Sequence, residues 1–76
     1  MTVYELISNT YKTQTVELNL VDYHKSTEET TVKNISLNSD ENDAFDVYKY
    51  RKYDVVMFTP TKRGTLKIFG YAEHDD

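Results

Sequence analysis

The chain predicts a small α+β domain, an antiparallel sheet of about four strands with a short N-terminal helix and a second short helix, in the order α-β-β-α-β-β. Three observations lead there. The opening residues spell a helix capping box, the stretch TVELNL alternates apolar and polar side chains, and two β-prone runs near the end are joined by a glycine-containing turn.

The first helix is expected over residues 3–8. Thr2 and Glu5 form the T-x-x-E pattern, in which each side chain takes up a backbone N–H near the other, and Val3, Leu6 and Ile7 form an apolar stripe. Ser8 competes for backbone hydrogen bonds, and Asn9 suits a stop in left-handed geometry. So short a helix does not persist alone and must pack on a sheet. In residues 15–20, Val16, Leu18 and Leu20 alternate with Glu17 and Asn19, the period of a half-buried strand. The polar residues 24–29 connect it to a second run, TTVKNISL, with which it forms a hairpin. There Val32 is out of phase with Ile35 and Leu37, which predicts either a bulge near Lys33 and Asn34 or one outward-facing valine.

A second helix is expected from Ser39, a good N-cap, with Asp40, Glu41 and Asp43 near its positive end and Lys49, Arg51 and Lys52 near its negative end. Residues 54–60 read as a buried strand and residues 65–71 as its partner. Thr61 to Gly64 supply the turn, with Gly64 free to adopt positive φ. One domain is expected over residues 1–72, followed by a disordered acidic tail over 73–76.

Seventy-six residues without cysteine leave hydrophobic burial to hold the fold. The chain has no apolar run of membrane-spanning length and no basic, apolar leader, so a cytoplasmic protein is expected, with no membrane partner. Charge is segregated: residues 26–46 carry one Lys against six acids, and residues 47–71 carry six cations against Asp54. Opposite blocks so close attract one another within a Debye length of about 8 Å.

The pattern M-T-V-x-E-L-I at residues 1–7 and V-E-x-x-x-x-D-Y at residues 16–23 resembles small phage and prophage proteins of Firmicutes. A tyrosine-rich short helix and a closing hairpin, here residues 48–71, fit the same likeness. The acidic connection at residues 39–46 and the Lys-Arg-Gly tip depart from it. The resemblance implies a mobile-element origin and a role in binding a host macromolecule, anti-CRISPR and other anti-defence inhibitors among the candidates. It assigns no site residues.

No catalytic motif is present. His24 and His74 fall in an expected loop and tail, there is no G-x-S-x-G elbow, and two glycines cannot build a phosphate loop. The expectation is therefore no enzyme and no cofactor. The D-x-N at Asp40–Asn42 resembles the start of a calcium loop, but Phe45 and Arg51 stand where that loop needs Gly and Glu, so no metal is expected either. What remains is binding. Six carboxylates between Glu28 and Asp46 could mimic nucleic-acid phosphates, and the favoured surface combines Asp40, Glu41, Asp43 and Asp46 with Tyr50 and Tyr53 as exposed hot-spot tyrosines, against a host protein or complex.

The alternative is a nucleic-acid module built from Tyr48, Lys49, Tyr50, Arg51 and Lys52 with Lys62 and Arg63 at the hairpin tip. As a strand, this segment would place Tyr48 and Tyr50 on one face about 7 Å apart, a stacking platform worth roughly 1–3 kcal/mol per base. As a helix it separates them, with Tyr48 inward beside Ala44 and Phe45, and Tyr50 outward. The helix is the expected state. A third reading is a structural or self-associating protein, monomer or homodimer, using an open strand edge.

Overall fold

A computed structural model describes residues 1–10, 14–37 and 47–75. In chain order these form helix α1 (Val3–Ser8), strands β1 (Val16–His24) and β2 (Glu29–Leu37), a 3-10 turn (Tyr48–Tyr50), and strands β3 (Asp54–Pro60) and β4 (Leu66–His74). The expected body of the second helix, including its cap at Ser39, lies outside the described residues; within them Val47 is helical and leads into a single 3-10 turn before β3.

The α1 cap forms as its sequence dictates. Glu5 N–H donates to Thr2 Oγ1 at 3.1 Å, and Thr2 N–H donates to Glu5 Oε1 at 3.2 Å. The expected left-handed stop does not occur, because Asn9 keeps φ at −98°. Its side-chain amide closes the helix instead, donating to the Glu5 carbonyl at 2.8 Å.

The sheet has strand order β2-β1-β4-β3. Both expected hairpins form, β1 with β2 and β3 with β4, each antiparallel. They are joined by β1 and β4 running parallel, Val16 beside Leu66 through His24 beside His74, so the sheet is mixed rather than wholly antiparallel. Local patterning specifies each hairpin but carries no information on how two hairpins dock. Gly64 takes φ of +80° in the tip between β3 and β4, as its sequence position requires.

One face of the sheet holds the core. Val16, Leu18 and Leu20 of β1 and Ile68 and Ala72 of β4 are buried there beneath Val3 and Ile7 of α1. Residues 47–53 pack into the same core, burying Val47, Tyr50 and Tyr53. Gly70 makes that layer fit: a Cβ on it would lie 2.8 Å from Val3 Cγ2, 2.9 Å from Leu20 Cδ2 and 3.2 Å from Tyr53 Cβ. The β1–β2 register runs without interruption, so Val32 is the outward valine and β2 has no bulge. The irregularity falls in β3, between Val55 and Met57. β4 also continues through His74, two residues into the expected tail, because Glu73 and His74 pair with Tyr23 and His24.

Candidate interaction surface

The tyrosine segment is organised by a three-residue period. Val47, Tyr50 and Tyr53, spaced three apart across the 3-10 turn, are buried in the core. This inverts the expected orientation: Tyr48 is 50% exposed, whereas Tyr50 is only 6% exposed. Tyr48 and Tyr50 share no face, so the stacking platform does not form. Tyr50 and Tyr53, expected as exposed hot spots, are corrected to core residues.

The cations of the segment lie on these rings. Arg51 Cζ sits 4.3 Å from the Tyr48 centroid, Lys49 Nζ 5.3 Å from that of Tyr50 and Lys52 Nζ 5.4 Å from that of Tyr53. Arg51 Nη1 also donates to the Tyr48 carbonyl at 3.1 Å, while Tyr4 meets Tyr48 edge-on at 5.1 Å. A guanidinium held over the Tyr48 ring occupies the surface that a base would need. Lys62 and Arg63 are exposed at the far hairpin tip. Asp40, Glu41, Asp43 and Asp46 lie outside the described residues.

Tyr53 has a polar role that its sequence position did not reveal. Its hydroxyl donates to Asp22, at 2.9 Å from Oδ1 and 3.1 Å from Oδ2. The buried Asp22 carboxylate also accepts from His74 Nε2 at 2.7 Å, and the His74 ring stacks on His24 with centroids 4.7 Å apart. The histidines are thus in strands, where parallel pairing sets them side by side, not in a loop and a tail. Burial pushes the Asp22 carboxyl upward, but hydrogen bonds from His74 and Tyr53 and the charge of Lys33 outweigh it and hold Asp22 below its ordinary range. Burial, then the bond to Asp22, pushes the Tyr53 hydroxyl up to about 12.

An Asp–His pair can orient an imidazole for proton transfer. Here the His24 ring stacks on the face of His74, and none of the described hydrogen bonds brings a hydroxyl nucleophile to its imidazole. The cluster fastens strand ends, together with Lys25, whose N–H donates to the His74 carbonyl at 2.9 Å and whose ammonium pairs with Glu73 and Asp75. Among the described residues no group of three or more His, Cys, Asp or Glu is placed to hold a metal ion, and no helix is long and apolar enough to cross a membrane.

The surface that stands out is the β3 edge. The sequence predicted a buried strand, yet Val56, Met57 and Phe58 are 67%, 52% and 53% exposed. An apolar run reads alike in a central and an edge strand, and strand order put this one at the edge. Of the six large apolar side chains exposed among the described residues, four are here, counting Met1. Residues 1–3 line the first part of the edge: Val3 N–H donates to the Tyr53 carbonyl at 2.8 Å, Val55 N–H to the Met1 carbonyl at 2.9 Å, and Thr2 bridges Asp54. Beyond Val55 the edge is lined by its own apolar side chains.

No protein-family model matches the chain, and no curated protein or solved structure is significantly similar to it.

Proposed function

We propose that the protein is a non-enzymatic interaction protein that binds a host protein or complex along the β3 edge, with Val56, Met57 and Phe58 as anchors. The observation that carries this reading is three consecutive large apolar side chains, each more than half exposed, on a strand at the end of a sheet. Such an edge offers main-chain groups for affinity and side chains on both faces for specificity. The sequence resemblance to phage proteins supports a host target, and inhibition, including of a defence system, as the consequence of binding. The polar cluster at Asp22 supports the non-enzymatic part, since its groups are spent on one another. The nucleic-acid reading has weaker support, because the cations at residues 49, 51 and 52 already lie on tyrosine rings.

The test is capture of a defined host protein by wild type, by Phe58→Lys and by Val32→Lys, which places the same charge on the opposite edge. Capture lost in the first variant and kept in the second is the expected result; equal capture by both removes β3 from the reading. Neutralising Asp40, Glu41 and Asp43 together reports whether the acidic segment contributes.

A further inference from the structure

The open part of β3 has a symmetry of its own. Residues 1–3 cover its start, and its end passes into the hairpin turn at Thr61, whose N–H donates to the Thr65 carbonyl at 2.8 Å. Residues 56–60 remain uncovered by any described residue, and their midpoint is Phe58. Two fixed points orient the backbone in this window. Val55 N–H faces away from β4, towards Met1, and Thr61 N–H faces inward, towards Thr65. Antiparallel pairs alternate between these two orientations. Counting from either end along Val55–Gly70, Met57–Phe69, Phe58–Ile68, Thr59–Lys67 and Pro60–Leu66 turns the N–H and C=O of Phe58 outward. The extra residue at Val56 is what brings the two counts into agreement.

The geometry points to a second copy of this chain as the occupant: residues 56–60 pair antiparallel with the same residues of another copy, about a two-fold axis at Phe58. This rests on the reading of β3 as the docking edge and names what fills that edge in the free protein. Phe58 exchanges both main-chain hydrogen bonds with its symmetry mate, and the two rings become cross-strand neighbours. Val56, the extra residue of the bulge, falls opposite Pro60, which has no N–H to donate, so the ladder rests on the Phe58 pair. Beyond the window the same register carries the exposed Asp54 of one copy toward the exposed Lys62 and Arg63 of the other, at both ends. A parallel pairing would instead set Asp54 against Asp54 and Lys62 against Lys62. The charges therefore select the antiparallel arrangement. An isologous contact of this kind closes at two copies rather than growing into a fibre. The window is about 17 Å long, a small contact, so assembly is concentration-dependent.

The cysteine-free sequence makes the register testable. Light scattering from micromolar to millimolar protein is expected to show the 8.9 kDa monomer converting to a dimer, and Phe58→Lys to shift that conversion by about tenfold or more in concentration. Under mild oxidation Phe58→Cys is expected to give a disulfide-linked dimer, since residues directly opposite in a ladder fall within disulfide reach. Val56→Cys, which faces Pro60 and not itself, should link about tenfold less efficiently. Circular dichroism checks that each variant folds, as expected for half-exposed positions. A wild-type chain monomeric at millimolar concentration, a dimer that survives Phe58→Lys, or equal linking at 56 and 58 overturns the proposal. The two readings fail separately: if wild type is monomeric but Phe58→Lys loses host-protein capture, the docking edge stands and the second copy falls. If neither assembly nor capture responds to Phe58→Lys, both fall.

Discussion

The sheet ends in two strands that meet the same hazard by different means. An edge exposes unpaired backbone groups to any other extended chain. β2 answers with composition: its exposed residues are Glu29, Lys33 and a series of Thr, Asn and Ser, broken only by Val32, and its pairing to β1 is regular throughout. β3 answers with shape: a bulge at Val56, a proline at position 60, and residues 1–3 laid against its start. An edge defended by shape can keep apolar side chains on show, which an edge defended by composition cannot. The apolar edge is therefore where selective binding can reside.

Three measurements press on that contrast. The largest effect is expected from Gly70→Ala, which attacks the fastening of β3. The new methyl would meet Val3, Leu20 and the Tyr53 Cβ, all buried and unable to retreat together. A loss of about 3 kcal/mol in urea unfolding is expected. The Val55 amide, bonded to Met1, should exchange its hydrogen faster than amides in β2. Unchanged stability would mean that Val3 and Tyr53 do not pack tightly over Gly70.

Tyr53→Phe comes next, because it removes one donor from a buried carboxylate, at a cost of about 1–2 kcal/mol. It also makes the pH dependence diagnostic. The raised folded pKa of Tyr53 contributes stability that is complete below pH 10 and lost as pH rises through 10 towards about 12. The lowered folded pKa of Asp22 contributes stability that is complete above its ordinary 3.8 and lost as pH falls through the folded value. Tyr53→Phe should reduce the alkaline loss, leaving the part owed to Tyr71 and Lys25, whose folded pKa values are also raised, and move the acid loss to higher pH. If the alkaline limb is identical in the variant, the hydroxyl is not engaged as described.

The smallest effect is expected at the exposed side chains of the two edge strands. Val32→Lys and Phe58→Lys should each change folding stability by less than about 0.5 kcal/mol, since both side chains are largely exposed. Equal stability with unequal association would separate the two edges by function alone. A large stability loss in Phe58→Lys would place that ring in the core.

The local features were legible in the sequence and the nonlocal ones were not. Thr2 and Glu5 announced the cap because the motif is complete within four residues, and Val16, Leu18 and Leu20 announced their strand because they meet its period. The β3 run reads as core because Val-Val-Met-Phe is as apolar as a central strand. Only the pairing of β1 with β4 decides that β3 is outermost. The pairing of His24 with His74 is hidden for the same reason, since their stacking depends on strands fifty positions apart along the chain. Tyr48 and Tyr50 exchanged roles because the expected phase came from an α-helix, whereas Val47, Tyr50 and Tyr53 follow a period of three.

The parallel junction at the centre of the sheet also bears on how the chain reaches this state. Each hairpin closes over a few residues, whereas every β1–β4 pair joins positions fifty apart. Short-range pairing forms quickly, and long-range parallel pairing waits on a large loss of chain entropy. Folding is thus expected to be limited by the docking of two preformed hairpins. Until they dock, β1 and β4 are themselves open edges, and the Val16, Leu18 and Leu20 stripe is uncovered. A nascent or refolding population therefore has more sticky surface than the finished molecule, and dilute refolding should recover more protein than concentrated refolding.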